Sequence, residues 1–382
     1  MSDTQGATPP TADEITAATV VFNALNTMEG QAMNAGGPAA IAKIASQQAD
    51  ILTALATAAR SNDAELLTAA VQSFHQLQPY MSTQGAADFL APLQKLLEAC
   101  KTNEVWPAAM HCHFRLGILL RERGEPANAK QMHESGLAIA NNTNNQRWQG
   151  IFHQRLGDVA LDQNQLDMAE NHYNTAFTLL SEQDNSFQTL GSCLYGLGAV
   201  AKLKGDPETA AQRFNGAIEQ YGKAPFLTGI GDSKSALAEI ELARGQFVKA
   251  EVDFNEARKS YEQGGNRGGI GNCVRGLGDV ALQQNRFEDA KRYYEEAATQ
   301  HYGPEHRAAM GLAMLGIGRA NMGIVGTNPE IVRDNFAQAL ELLRPYRVYH
   351  AQAEQTVREA MPHAAAVRSP GGGPTGQTSP SR

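Results

Sequence analysis

The chain has 382 residues, of which 42% are hydrophobic and 19% charged, with a formal net charge of −8. This composition suits a folded soluble protein and offers no general attraction to nucleic acid or anionic lipid. No apolar run reaches the roughly 18 residues of a membrane span, and Met1–Asp13 has neither a secretory core nor the arginines of a mitochondrial presequence, so a cytoplasmic location is expected.

Residues 1–11, rich in Thr, Pro and Gly, read as a disordered arm. Helical patterns dominate 12–104. Ala39, Ile41, Ile44, Ile51, Leu52 and Leu55 suit one apolar helix face, and Leu66, Leu67, Val71, Phe74 and Leu77 another. Gly36-Gly37-Pro38 and Ser61-Asn62-Asp63 supply a stop and a cap. A helix over about 86–99 turns Phe89, Leu90, Leu93, Leu96 and Leu97 inward, with a kink at Pro92. The region is either a set of diverged repeats or a separate helical cap; two helices over about 63–100 fit the period that follows.

From 105 to 344 a short phrase recurs six times. It reads Arg115-Leu116-Gly117, Arg155-Leu156-Gly157-Asp158, Gly196-Leu197-Gly198, Ala236-Leu237-Ala238, Gly276-Leu277-Gly278-Asp279 and Gly316-Ile317-Gly318. The spacings are 40, 41, 40, 40 and 40 residues, a period that signals stacked repeats. Each copy holds two helical patterns, such as about 268–283 and 287–300 in the fifth. Gly124, Asn164, Gly205, Gly245 and Asn285 stand at the breaks and tolerate the left-handed backbone that ends a helix. Pro126 and Pro207 open the helix that follows.

Columns run in register with the phrase. Twelve residues after its glycine position stand Ala129, Ala169, Ala210, Ala250 and Ala290. Sixteen after it stand His133, Tyr173, Phe214, Phe254 and Tyr294; nineteen after it stand Gly136, Ala176, Ala217, Ala257 and Ala297. The sixth copy has two extra residues, after which Phe336 and Ala339 restore the pattern. Seven before it stand Gly150, Gly191, Gly231, Gly271 and Gly311, on the same helix face, a smooth stripe for close packing. Small residues beside a filling aromatic describe tightly packed helix pairs.

These columns resemble the tetratricopeptide repeat, in a long unit like those of Pins/LGN-type adaptors and of repeat arrays on signalling ATPases. The resemblance implies an all-α, right-handed α-solenoid of antiparallel helix pairs. It also implies a C-terminal capping helix, here 345–362 with Tyr346, Tyr349, Ala353, Val357 and Ala360 inward, before a disordered tail at 363–382.

Candidate chemistry gives way to packing. Gly264–Gly271 has no P-loop lysine and no preceding strand, and reads as turn and packing. Cys112, Cys193 and Cys273 share one column in separate repeats, so they cannot converge on a metal and read as core residues. His111 and His113 point about 200° apart on a helix. His133 fills an aromatic column as a partly buried core histidine, and His301 and His306 flank a solvated loop. No catalytic constellation, cofactor site or metal site is evident, and an enzyme is not expected.

In the resembled family the first helix of each pair lines a concave groove that binds peptides. Register places Phe114, Arg121, Gln154, Asp158, Tyr195, Lys202, Asp232, Glu239, Asn272, Arg275, Asp279, Leu315 and Arg319 there. Asp279 is expected to be free for function because it stands beside the packing columns. Phe114 and Ile118 occupy places where chaperone-binding repeats carry the basic residues of a carboxylate clamp, so no such clamp is expected. The expected function is a non-enzymatic scaffold binding a peptide segment of a partner protein. The alternative is a regulatory sensor whose array binds a short signalling peptide and controls an effector.

Overall fold

A computed structural model describes residues 8–26, 42, 44–80, 86–300 and 307–361. Residues 1–7 of the expected arm, the Gly36–Pro38 stop, the His301 and His306 loop and the tail at 363–382 lie outside them. Among the described residues every regular element is a helix. The chain divides into two compact units, residues 1–270 and 271–382.

In the first unit, α1 (Ala12–Asn26), α2 (Gln48–Arg60), α3 (Ala64–Tyr80) and α4 (Ala86–Thr102) come first. Four pairs follow: α5 (Trp106–Glu122) with α6 (Pro126–Asn142), α7 (Gln146–Asp162) with α8 (Leu166–Ser181), α9 (Phe187–Leu203) with α10 (Pro207–Lys223), and α11 (Leu227–Ala243) with α12 (Phe247–Gly264). Helix α4 runs on through Pro92 and buries Phe89, Leu93, Leu96 and Leu97. The rings of Phe74 and Phe89 meet edge to face at 6.0 Å, in a core that continues into Cys112, Leu116 and Leu119 of α5. Helices α3 and α4 both pack on α5, as α5 and α6 pack on α7.

Helix α13 (Arg267–Gln283) begins at the close of the first unit, and its residues from Gly271 belong to the second. There α14 (Phe287–Gln300) packs on α15 (Arg307–Gly323), which pairs with α16 (Pro329–Leu343), and α17 (Arg347–Ala360) closes on α15 and α16. Ala353 of α17 is fully buried, with Val357 and Ala360 packed beside it. Tyr349, expected inward, is exposed: it lies at the edge of the stripe in the first turn.

The breaks turn as their residues allow. Gly124, Asn164, Gly205, Gly245 and Asn285 have φ of 75°, 56°, 81°, 71° and 57°. From α9 on, most first helices of a pair are rich in glycine, which costs about 1 kcal/mol per residue relative to alanine. Helix α15 carries four glycines, Gly311, Gly316, Gly318 and Gly323, and is held by packing rather than by propensity.

The packing is ring against glycine. A Cβ on Gly157 would lie 2.7 Å from the Tyr173 ring, one on Gly198 2.7 Å from Phe214, one on Gly278 2.8 Å from Tyr294 and one on Gly318 2.6 Å from Phe336. The first glycine of the phrase faces the ring of the preceding copy: Gly196 lies on Tyr173 and Gly316 on Tyr294. The second glycine column works likewise, with Gly150 under Leu180, Gly191 under Tyr221, Gly231 under Tyr261 and Gly311 under Leu343. The glycine stripe is thus a row of fitted sockets rather than a smooth surface. Gly265, at φ 70°, ends α12; Asn266 Oδ1 accepts the Gly269 N–H at 2.9 Å, and Gly269 lies under Tyr261.

Candidate functional site

The first helix of each pair turns its Leu-Gly column inward and presents neighbouring positions on an exposed face. On that face Arg121, Lys202 and Glu239 are exposed in the first unit, and Asn272 and Arg319 in the second. Phe114, Asp158, Tyr195, Asp232, Arg275 and Asp279 are half-buried. Gln154 and Leu315 are buried, at 3% and 9% exposure, and offer little to a partner. Leu315 shares a cluster with Phe336, Leu343 and Ala353, because α17 folds over this last first-helix.

A polar network joins α5, α7 and α8. Asp158 Oδ1 accepts the Tyr173 O–H and the Gln154 amide, both at 2.9 Å, and its Oδ2 accepts Arg155 at 3.1 Å. Arg121 donates to both Asp162 oxygens, at 2.5 and 3.0 Å, and lies 3.9 Å from Asp158. The Asp162 hydrogen bond holds the Arg121 guanidinium further into its charged form. Two guanidinium groups lie over the Phe114 ring, Arg115 at 5.2 Å and Arg155 at 5.0 Å, with Trp148 edge-on at 5.9 Å. Burial, with Arg155 nearby, lowers Arg115 to about 10. Farther along, Lys202 donates to Glu239 at 2.5 Å, Asp232 accepts the Tyr261 O–H at 2.5 Å, and Tyr195 packs 5.4 Å from Phe214. Burial raises Asp232.

The second unit repeats one motif. Asp279 accepts the Tyr294 O–H at 2.7 Å and Arg275 at 3.2 Å. Burial first, then the Asp279 charge, pushes Tyr294 well above the usual phenol range, so the hydroxyl stays a donor. Asp279 therefore belongs to the packing: it is the acceptor for a column tyrosine, which corrects the expectation that it stands free. Its signal was in the sequence. Asp follows the phrase glycine in the two copies with tyrosine sixteen residues on, Asp158 with Tyr173 and Asp279 with Tyr294. Copies with Phe or His there carry Ile118, Ala199, Glu239 or Arg319. Arg155 and Trp148 also lie against Phe114, outside the positions to which the register points.

The histidines separate. His111 is exposed, edge-on to Trp148 at 4.5 Å, while His113 is buried in the core. His133 is fully rather than partly buried, and a Cβ on Gly117 would lie 2.1 Å from its ring. All four cysteines are buried, as reduced thiols outside any disulfide. Among the described residues no three metal-ligating side chains gather, and no helix is long and apolar enough to cross a membrane.

The charges on the face are largely matched. Arg121 with Asp162, Lys202 with Glu239 and Arg275 with Asp279 are 27–46% exposed. The first two, the more exposed, contribute about 0–1 kcal/mol each, so an incoming chain can exchange them at small cost, whereas Asp279 is also held by Tyr294.

Residues 230–300 match the family model of the tetratricopeptide repeat. No curated protein matches the chain. Among solved structures, the apo form of RapI is 12% identical with a TM-score of 0.51, over 65% of this chain and 99% of that one. A signal transduction ATPase with numerous domains and a tetratricopeptide repeat sensor, from Pyrococcus horikoshii, is 13% identical with a TM-score of 0.57. That match covers 93% of this chain, which spans about half, 53%, of the ATPase chain. In its residue columns, in the match over 230–300 and in its fold, the chain resembles tetratricopeptide repeat arrays.

Proposed function

We propose that the protein is a non-enzymatic interaction scaffold that binds a peptide segment of a partner protein along the exposed face of its first helices. The repeat fold supports a protein-interaction or sensor role and is typically that of a non-enzymatic module. The observation that carries the reading is a division of labour within each first helix. The Leu-Gly positions of the phrase are buried in every copy, and the positions beside them differ in chemistry: Phe114, Tyr195, Ser235 and Arg275 at one place, Ile118, Ala199, Glu239 and Arg319 at another. A constant frame with a varying face suits side-chain readout of an extended chain.

Affinity capture from the protein's own cell extract tests the reading. Lys202→Glu and Arg319→Glu each reverse an exposed charge on the face. Each is expected to reduce recovery of a specific partner by about tenfold, as the loss of a charged contact of roughly 1.4 kcal/mol would. Glu219→Gln, on the exposed side of α10, is the control. Equal recovery of every partner by all three variants, each still folded, rejects the face.

A further inference from the structure

We propose that Cys100 and Cys112 form a dithiol site that a small disulfide such as oxidised glutathione converts to a protein disulfide, stapling α4 to α5. The two residues lie on successive helices around one tight corner, where the Cys100 carbonyl accepts the Val105 N–H at 2.8 Å and α4 folds back on α5. Both side chains are fully buried in the same core, and their thiols share a hydrogen bond. The repeat column explains Cys112, which has counterparts in Cys193 and Cys273. It does not explain Cys100, which lies outside the column and faces the column cysteine.

The environment assigns the order of attack. The S–H of Cys112 donates to Cys100 and lowers it, whereas burial raises Cys112, a rise that the Lys101 charge opposes. Cys100 is therefore the first nucleophile. It also lies two residues from the end of α4, where a helix frays most readily and a small oxidant can reach it. The Cys100 thiolate attacks one sulfur of glutathione disulfide and expels one glutathione thiolate, leaving a mixed disulfide. Cys112 then loses its proton and attacks the Cys100 sulfur, forming the protein disulfide and expelling the second glutathione thiolate. The two protein thiol protons end on the two glutathiones, so two protein thiols are oxidised and one glutathione disulfide is reduced.

The test uses the folded full chain, incubated with oxidised or reduced glutathione, alkylated in denaturant and digested with trypsin. The expected product joins the peptides 96–101 and 102–115, which hold Cys100 and Cys112, while Cys193 and Cys273 are alkylated. The melting temperature is expected to rise by roughly 5 °C on oxidation and fall back with reductant, since the bond closes a short loop. Cys100→Ser and, separately, Cys112→Ala should abolish both effects, and either variant suffices if the other does not fold. Alkylation of Cys100 and Cys112 after oxidation overturns the inference, as does a glutathione adduct that never resolves to the cross-link.

Discussion

Tyr294 is held at three points: Gly278 and Gly316 lie against its ring, and Asp279 accepts its hydroxyl. A ring so tied cannot retreat from an added methyl. Gly278→Ala should therefore destabilise the fold by about 1–3 kcal/mol, read as a lower melting temperature. Phe254 shows the contrast, because it is buried with no hydroxyl to anchor it, and alanine, Ala238, stands sixteen residues before it. Asp279→Ala should cost about 1–3 kcal/mol by leaving the Tyr294 hydroxyl without its acceptor. In a Tyr294→Phe background the same change should cost much less, and a double-mutant cycle with no coupling would reject the tie. His133 carries the opposite liability. Burial, aided by the Arg155 and Arg121 charges, lowers it to about 3, against about 6.5 when the chain is unfolded. Between these values the unfolded chain binds the extra proton, so stability is complete above about pH 6.5 and falls as the pH drops toward 3. At pH 5 the loss from His133 is about 2 kcal/mol, and His133→Phe, the residue of other copies, should flatten that part of a stability–pH curve.

At the scale of the helix, the turns are the most legible part of the molecule. Gly205 has φ 81° and nothing within 4 Å of the place a Cβ would take. Gly205→Ala therefore isolates the backbone term and should cost about 1–2 kcal/mol in a denaturant titration. Gly124, Asn164 and Asn285 could be read from sequence because few residues tolerate that conformation. Glu104, with φ 56°, could not, because nothing in glutamate's chemistry announces it. The paired helices were legible through glycine, whose placement opposite a ring leaves a fixed interval. The N-terminal helices were legible as helices, but their pairing was not. Forty residues before Gly117 and His133 stand Leu77 and Leu93, both fully buried. Two mid-sized leucines can fill a seam as well as a glycine and a ring, and they leave no mark on the sequence. The candidate face was legible only as a register. Leu315 failed because α17 covers its position, a contact that the local pattern of α15 cannot express.

For the whole molecule, the last helix decides whether the array ends in core or in water. Removing 345–382 would uncover Leu315, Phe336 and Leu343, which α17 helps to bury. Such a truncation is expected to bind a hydrophobic dye, lower the melting temperature and associate with itself, whereas removal of 363–382 alone should do none of these. Unchanged dye binding and melting in the longer truncation would show that α17 is no cap.

The sockets have a consequence for how such a chain can be cut and rejoined. Tyr173 fits Gly157 of its own copy and Gly196 of the next, and Tyr221 fits Gly191 and Gly229 in the same manner. The heritable module is therefore offset from the visible 40-residue unit: it runs from one glycine, across a ring, to the glycine of the following copy. Grafting at the phrase boundary would join a ring to a stranger's socket. A chimaera that carries each ring with both of its glycines keeps every lock whole, and this is the frame in which copies of the array can be exchanged or added.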